Sequence, residues 1–540
     1  MKKKLSILLA CLFLLGALGG CGVKGSTDAE VSIMLPQSPI TVDPQLVSDT
    51  NSGFVASFFT AGLFGYDADR NLIPVMADSY ETSEDGLTYT FKLKKDLKWS
   101  DGRPLTAEDF VFAFRRLADP DVGSNSAYLI TDSCQIKNAE EVNRKEKPVN
   151  ELGVSSPDDH TFVVELDMPC PYFCSLLTAC SFSPCNEDFY HSVGDDYADS
   201  DKTVLSCGPY IMDRYEPLAM QIHFTKNPNF VYADQITVPG ANVQVVANAQ
   251  QALMSYESGG LDVTSISGEL AELTVDDPEL TQFPGASSFF LFLNLKNCKA
   301  LGNKNIRMAL SKSIDRESIV KNVTRAGTTP LSRMSPSGYY KMKDGTDFSA
   351  DADRYQKQMG YDPAAAAELW KKGLEELGVT SVSLTLVFPS SQSSLMEAYA
   401  NQMTGNLPGL AIELKAVTQK EVSETRASGD FDMLFYGWAA DYADPTAFLA
   451  LYISSATDVG YHNPDYDAMY DQIQGKDLVN DPEKRDELMQ KAEDMLMDDA
   501  AFIPLFSRGE AYLIKKNVTG FQMTPTGIGC VLVGLRKEVD

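Results

Sequence analysis

The chain has 540 residues, of which 44% are hydrophobic and 10% aromatic, and its formal net charge at pH 7 is −29. At roughly 100–200 residues per domain this length predicts about three domains, and the composition excludes a largely disordered chain. Such an acidic protein would be repelled by phosphate backbones and anionic lipid headgroups, so nucleic acid is not an expected partner.

Residues 1–20 have the features of an export signal. Three lysines precede an apolar run from Leu5 to Leu18, which is short for a membrane span, and small residues follow it. The run ends in "LGGC", which resembles a bacterial lipobox and marks Cys21 as the lipidated first residue of the mature chain. An ordinary signal peptide that contains a cysteine is the alternative. Residues 21–30 would then form a flexible tether, and acyl chains would hold the protein at the membrane's outer face.

The cysteines and histidines do not form a recognisable metal site. The four histidines are scattered without an HExxH motif, and the cysteine spacings lack the CxxC pairs of common zinc sites. Buried thiols, disulfides and metal or redox chemistry all stay open as interpretations, and export permits disulfides. The cysteines beyond the signal segment are Cys134, Cys170, Cys174, Cys180, Cys185, Cys207, Cys298 and Cys530.

The first half of the chain mixes strands with helices. "LTYTFKLKKDLKW" alternates apolar and polar residues, as half-buried strands do. Thr106 is predicted to cap the next helix, with Asp109 placed to complete a capping box. Further along, "ANAQQALMSYESGGLDV" predicts a helix followed by a strand, and "FFLFLNL" predicts a buried strand. "KNIRMALSKSID" and "RESIVKNVTRAG" predict two helices, the second capped by Asp315 and closed by Gly327.

The second half predicts a parallel sheet. Asp362 and Pro363 start a helix that Gly378 ends, and an alternating strand begins at Val382. A helix near "SLMEAYANQM", the strand "LAIELKAV" and a helix near "KEVSETRAS" follow, before a last strand from 431 to 438. This β-α-β-α-β order predicts right-handed crossovers between parallel strands.

The loop after that last strand, residues 439–445, is the best candidate for a ligand site. Open parallel sheets bind ligands at the carboxyl ends of their strands. Asp444 precedes a proline and is predicted to cap the helix "PTAFLALY". Asp441 has no such local role. A partly desolvated carboxylate beside Trp438 would favour a cation such as an α-ammonium group, although core packing is the alternative for the indole.

The sequence contains none of the common catalytic or nucleotide-binding motifs. It has no G-x-S-x-G elbow, no P-loop and no G-x-G-x-x-G. An exported hydrolase is therefore supported only by the size of the chain and its predicted location. We expect a protein that is not an enzyme.

Several motifs in one order resemble a known family. They are "ADSYETSEDGLTYTFKLKKDLKWSDGRPLTAEDFVFAFRRLADP" (77–120), "CGPY" (207–210), "KNPNF" (226–230), "LNLKN" with "NIRMALSKSIDRESIV" (293–320), "FIPLF" (502–506) and "GWAADYADPTAFL" (437–449). The chain resembles the family-5 solute-binding proteins of peptide-type ABC importers, which include oligopeptide- and dipeptide-binding lipoproteins. The resemblance covers essentially the whole mature chain.

This resemblance implies an α/β fold: a two-lobed periplasmic-binding-protein clamshell of type II with an additional domain inserted in the first lobe. Lobe I would comprise residues 31–65, 188–288 and 507–540, the inserted subdomain 66–187, and lobe II 289–506. It also implies a monomeric receptor that holds no cofactor, captures oligopeptides and passes them to the permease subunits of an importer. Dipeptides, signalling peptides, nickel chelates, haem and sugars are alternative solutes, since relatives of this fold take them.

The resemblance also assigns residues to the ligand. Asp441 would hold the peptide amine, the backbones of Gly437 and Ala439 would pair with the peptide, and Trp438 would wall a side-chain pocket. Tyr442 lies in the same loop and belongs to the predicted site. From the first lobe, the segment after "TVDP" around Thr50 would add strand-like contacts. Two positions depart from the pattern: Phe435 replaces a basic residue that some oligopeptide binders use for the ligand carboxylate, and Cys207 precedes "GPY".

Overall fold

A computed structural model describes residues 29–216, 218, 220–267, 269–324, 327–455, 459–526 and 528–539. The predicted signal peptide and Cys21 lie outside these residues. Within them, no helix has the length and apolar character needed to span a membrane.

The strands are β1 Val31–Leu35, β2 Phe64–Tyr66, β3 Leu72–Pro74, β4 Ala77–Thr82, β5 Thr88–Leu93, β6 Val154–Asp158, β7 Thr161–Glu165, β8 Tyr210–Arg214, β9 Gln221–Lys226, β10 Gly240–Val245, β11 Val263–Ile266, β12 Leu280–Phe283, β13 Ser287–Leu293, β14 Thr328–Pro330, β15 Val382–Pro389, β16 Leu410–Val417, β17 Met433–Ala439, β18 Phe502–Arg508, β19 Glu510–Ile514, β20 Val518–Thr519, β21 Gln522–Met523, β22 Cys530–Val531 and β23 Arg536–Lys537.

The helices are α1 Thr50–Phe59, α2 Ala107–Ala118, α3 Ala139–Asn143, α4 Phe173–Leu176, α5 Glu187–Val193, α6 Ala249–Glu257, α7 Glu269–Leu273, α8 Lys304–Lys312, α9 Arg316–Ile319, α10 Ala352–Met359, α11 Pro363–Leu377, α12 Ser393–Asn406, α13 Gln419–Ser428, α14 Thr446–Leu449, α15 Pro464–Gln474 and α16 Pro482–Asp498.

Three sheets organise the molecule. A seven-stranded sheet has the order β12-β19-β11-β1-β10-β9-β8, and a six-stranded sheet has the order β14-β18-β13-β17-β15-β16. An antiparallel four-stranded sheet, β4-β5-β7-β6, is built from the stretch of chain between β1 and β8. We call the part built on the seven-stranded sheet the first lobe and the part built on the six-stranded sheet the second lobe. The four-stranded sheet belongs to the inserted domain, so the molecule is a two-lobed α/β protein.

The predicted parallel arrangement holds for three strands of the second lobe. β15 runs parallel to both β16 and β17, whereas β13 is antiparallel to β17 and to β18. The sheet is therefore mixed. Along β17, Met433 and Phe435 pack into the core under α8, α11 and α12, and Leu434 packs into the core on the opposite face.

Local signals placed most helices correctly. The predicted capping box forms at α2, where the Thr106 backbone N–H donates to Asp109 Oδ2 at 2.8 Å. The single helix predicted from 316 to 327 was wrong in part. The α-helix ends at Ile319, and a wider π-helical turn, Val320–Thr324, follows. Val320, Val323 and Thr324 are β-branched, which disfavours regular α-helix.

The two connections between the lobes lie side by side. One runs from β12 to β13 through Gly285, and the other from β18 to β19 through Gly509. A Cβ atom on Gly285 would lie 2.2 Å from the carbonyl oxygen of Arg508, and one on Gly509 would lie 2.1 Å from that of Phe283. Only glycine permits this approach, so the crossing strands form a close-packed pair at the base of the cleft.

Candidate ligand-binding cleft

The loop that carries Asp441 continues directly from β17. β17 pairs along its whole length with β13, so that Gly437 lies opposite Phe289 and Ala439 opposite Ser287. The Ala440 backbone N–H then donates to the carbonyl of Ala286 at 2.8 Å, which extends this pairing by one residue. The sheet therefore fixes the position from which the loop departs.

One edge of β17 is open where the loop begins. On the side of β15, only Met433 and Leu434 are paired. From Phe435 to Ala439, no other described strand pairs with this side of β17. Its backbone donors and acceptors there are free to pair with an added extended chain.

Asp441 faces a cavity of about 390 Å³ that lies between the second lobe, the first lobe and the inserted domain. Its side chain is exposed to the solvent of the cleft, and the Tyr128 hydroxyl donates to its Oδ1 at 3.1 Å. The surrounding protein desolvates the carboxyl and raises its pKa, while the hydrogen bond from Tyr128 acts in the opposite direction. Among the described residues, the cavity lining includes two carboxylates, Asp441 and Asp49, and no lysine, arginine or histidine.

Asp444 has the predicted structural role at the start of a helix, and it has a second one in an ion pair. Its Oδ1 accepts from the backbone N–H of Thr446 at 3.0 Å at the start of α14. It also forms a buried ion pair with Arg485 of α16. Pro445 takes the cap position of α14 and not its first helical position. No motif indicates this role of Arg485, which lies 41 residues further along the chain.

Tyr442 is a packing residue at the contact with the inserted domain. Its ring stacks on Tyr172 with centroids 3.9 Å apart and planes 4° from parallel, and it is almost fully buried. Next to it, the Ala443 backbone N–H donates to the Ser175 hydroxyl at 2.9 Å. These contacts attach the loop to the inserted domain, and they leave Asp441 as the loop carboxylate that reaches the cavity.

The other predicted residues of β17 divide between the two faces of the sheet. Ala439 is exposed and lines the cavity with Asp441. Gly437 lies under the ring of Phe289, because a Cβ there would be 2.4 Å from a ring carbon. Trp438 is half-buried on the opposite face and does not line the cavities described here. Its Nε1–H has no acceptor among the described residues.

The prediction of strand-like contacts around Thr50 was wrong in conformation. Thr50 is the first residue of α1, because Asp49 caps that helix by accepting from the backbone N–H groups of Asn51 and Ser52 at 3.0 Å. Its backbone therefore cannot pair as a strand. Its side chain is nevertheless exposed and lines the cavity that contains Asp441.

A second cavity, of about 550 Å³, continues the cleft between the lobes and shares Thr50 and Ile528 with the first. In the described part of the chain, its charged lining residues are Arg508, at the end of β18, and Glu510, at the start of β19. Burial raises the pKa of Glu510, whose Oε2 accepts from the Tyr512 hydroxyl at 2.8 Å. No motif in the sequence indicated either residue.

The described cysteines are all free thiols. Burial raises the pKa of each of them, for example to about 12 for Cys207 and Cys530 and to about 11 for Cys298. Among the residues that the structure describes, no group of three or more histidine, cysteine or acidic side chains is placed to hold a metal ion. Most of these thiols are buried, and that of Cys134 donates to the carbonyl oxygen of Leu129 at 3.1 Å.

The profile of the bacterial extracellular solute-binding proteins of family 5, middle region, matches residues 71–460. The chain belongs to this family. It is 32% identical over 529 residues to a dipeptide-binding protein of Lactococcus lactis, with 94% of each chain covered. Among solved structures it is similar to family-5 proteins of the same two-lobed form.

An oligopeptide-binding protein of Listeria monocytogenes bound to peptide shares 28% identity and gives a TM-score of 0.66, covering 95% of this chain and 99% of that one. The unliganded open form of the murein tripeptide-binding protein MppA shares 22% identity but gives 0.84, covering 96% and 98%. The present protein thus superposes better on this open form than on the peptide-bound Listeria protein.

Proposed function

We propose that this family-5 protein is a membrane-tethered extracytoplasmic receptor that captures oligopeptides between its two lobes and delivers them to an ABC permease. The observation that carries this proposal is the position of Asp441. Its carboxylate stands at the carboxyl end of β17, inside a cleft walled by both lobes and the inserted domain.

The electrostatics of the first cavity favour a cationic ligand group. Of the residues described, Asp441 and Asp49 line it without a basic side chain, and Oδ1 of Asp49 already caps α1. An α-ammonium group beside Asp441 would relieve the cost of desolvating its carboxylate and form charge-assisted hydrogen bonds. Much of the remaining lining is apolar, including Phe64, Val75 and Leu129. That surface suits the first side chain of a peptide.

The open edge of β17 supports binding along a peptide backbone. Phe435 to Ala439 have unpaired backbone groups on the β15 side, next to the cavity. An extended peptide that lies there would add a strand and gain main-chain hydrogen bonds, which give affinity with little choice of sequence. Gly437 and Ala439 would supply those bonds, and water in the cleft would adapt to different side chains.

Calorimetry tests whether Asp441 binds the α-ammonium group of the peptide. The wild-type protein is titrated with trialanine and with N-acetyl-trialanine, and the titrations are repeated on Asp441→Ala. We expect the acetylated peptide, and the variant, to bind at least tenfold more weakly, because either change removes one charge of the pair. Asp195→Ala is the control, since it removes an exposed carboxylate outside both cavities. Equal binding of the two peptides would contradict the proposal, as would a non-peptide ligand retained through gentle purification and identified by mass spectrometry.

Two further measurements address the tether and the delivery. Cys21→Ser is expected to shift the protein from the membrane fraction to the soluble one, because the thiol that would carry the acyl chains is gone. A strain that lacks the protein is expected to lose uptake of labelled trialanine. Membrane attachment of the serine variant, or unchanged uptake, would contradict these parts of the proposal.

A further inference from the structure

We propose that Arg508 binds the terminal carboxylate of the ligand and thereby makes the cleft selective for short peptides with a free carboxyl end. The inference rests on the proposed peptide-binding function and assigns a residue that the motifs of the sequence do not mark. A peptide in the cleft has two ends of opposite sign, and Asp441 can satisfy only the positive one.

Among the residues that the structure describes, Arg508 is the one basic residue in the lining of the two cavities. The first cavity contains the carboxylates of Asp441 and Asp49, and the second contains Arg508 with Glu510. The continuous cleft is therefore negative at one end and has a cation at the other. A zwitterionic peptide whose amine lies at Asp441 would direct its carboxyl end toward Arg508.

The guanidinium of Arg508 is held in place without an acidic partner. It lies over the ring of Phe289, with its central carbon 4.8 Å from the ring centroid. It forms no hydrogen bond or ion pair with any described residue, and its side chain is exposed to the cleft. Partial desolvation lowers its pKa, so an incoming carboxylate would compensate for lost solvation.

Glu510, the neighbouring acid, forms no ion pair with Arg508. Its carboxyl accepts from the Tyr512 hydroxyl at 2.8 Å, and burial raises its pKa. Gly509 separates the two residues, which belong to strands of different sheets. The positive charge of Arg508 therefore stays available to a ligand.

The six-stranded sheet fixes the spacing between the two charged residues. Ala439 pairs with Ser287, and the Ser287 hydroxyl donates to the carbonyl of Arg508 at 2.8 Å. Ala439 and Arg508 are therefore separated by two strand spacings of about 4.8 Å each. Asp441 lies two residues beyond Ala439, at most about 7 Å further along the chain. The Cα atoms of Asp441 and Arg508 are therefore on the order of 10–15 Å apart, a distance that an extended peptide of three or four residues can span. Because β17 and β18 belong to the same six-stranded sheet, this distance is set within that sheet.

The test compares free and amidated peptides. Wild-type protein and Arg508→Gln are each titrated calorimetrically with trialanine and with trialanine amide. In the wild type we expect the amide to bind about 10- to 100-fold more weakly, since it cannot form the charged hydrogen bonds. Arg508→Gln should weaken trialanine by a similar factor and leave the amide unchanged. The unchanged amide affinity would also show that the variant is folded.

Arg536→Gln is the matched control, because Arg536 is an exposed arginine of the first lobe that lines neither cavity. It should bind both peptides as the wild type does. Equal affinity of acid and amide in the wild type would overturn the inference, as would an equal loss of both peptides in Arg508→Gln. These outcomes leave the peptide receptor intact, whereas failure of every peptide to bind would overturn the proposed function and the role of Arg508 together.

Discussion

Arg485 donates two hydrogen bonds to Asp444, from Nη1 to Oδ2 at 2.5 Å and from Nη2 to Oδ1 at 3.0 Å, in the interior of the second lobe. Both side chains are at least 95% buried. Burial by itself would lower the pKa of Arg485, but the charge and hydrogen bonds of Asp444 outweigh burial and raise it. The pair ties the loop of Asp441 to α16, three residues from the carboxylate that we assign to the ligand.

Asp444→Asn is therefore expected to lower the free energy of unfolding by about 3–5 kcal/mol, because it leaves a buried guanidinium without its counter-ion. Urea unfolding followed by circular dichroism measures the loss. Asp121→Asn removes the acid of an exposed pair with Lys145 and should change stability by less than about 1 kcal/mol. Equal effects of the two substitutions would show that the buried pair stabilises the protein no more than the exposed pair does.

Asp441→Asn, in contrast to Asp444→Asn, should raise the free energy of unfolding of the ligand-free protein. Because burial raises the pKa of Asp441 in the folded state, the ionised carboxylate costs stability above that pKa, and the cost disappears below the pKa of the unfolded chain. The variant should therefore be slightly more stable than the wild type at pH 7, by less than about 1 kcal/mol. The difference should vanish near pH 3, which lies below the usual aspartate pKa of about 3.9. Thermal unfolding at the two pH values tests this, and a lower melting temperature at pH 7 would contradict it.

Tyr128→Phe should alter how peptide affinity depends on pH. The hydroxyl of Tyr128 lowers the pKa of Asp441, so its removal should raise that pKa further. Binding of an ammonium group requires the ionised carboxylate, so affinity should fall as the pH drops through the pKa of Asp441. In Tyr128→Phe the fall should begin at higher pH. Trialanine titrations between about pH 4 and 7 locate the midpoint.

Tyr361→Phe, which removes an exposed hydroxyl elsewhere, should keep the wild-type midpoint. A midpoint in Tyr128→Phe at or below that of the wild type would contradict the assignment of the hydrogen bond.

The sequence predicted what depends on local patterns and missed what depends on distant contacts. The capping box of Thr106 and Asp109, the order of β15 to β17 and the position of Asp441 follow from spacing within short segments, and the structure has all three. The strand predicted around Thr50 is wrong because Asp49 caps a helix that begins there, and an aspartate before a helix is itself a local signal.

Tyr128, Arg485 and Arg508 could not have been found in this way. Tyr128 reaches Asp441 from 313 residues away, and Arg485 reaches Asp444 from another helix. Each is a single polar residue in an otherwise ordinary segment. Their roles arise from how the lobes and the inserted domain pack together, which periodicity and motif spacing do not encode.

Gly437 should tolerate no side chain. A Cβ at this position would lie 2.4 Å from the ring of Phe289, which is stacked on Phe506 at 4.7 Å between ring centroids and cannot move freely. Gly437→Ala is therefore expected to destabilise the protein by about 1–3 kcal/mol through overpacking. Gly405→Ala is the control, since Gly405 lies in α12 with open space around it and should gain up to about 1 kcal/mol from better helix propensity. Urea unfolding compares them, and equal stability of the two variants would contradict the role of the Phe289 ring.

His223 should make stability depend on pH near neutrality. Its Nδ1 lies 2.5 Å from Asp213, its Nε2 lies 3.2 Å from Glu30, and 14% of its side chain is exposed. Burial opposes the charged imidazolium, but the hydrogen bonds and charges of the two acids outweigh burial and raise the pKa. The charged histidine thus links the β8–β9 hairpin to the segment that precedes β1.

A pKa raised on folding stabilises the protein fully below the unfolded value of about 6.5, and the stabilisation is lost as the pH rises through the higher folded value. The melting temperature of the wild type should therefore fall more between about pH 6 and 8 than that of His223→Gln. His462→Gln, which removes an exposed histidine, should follow the wild type. If His223→Gln had the same pH dependence as the wild type, the imidazolium would not contribute to stability, and the contacts with Asp213 and Glu30 would be hydrogen bonds of a neutral ring.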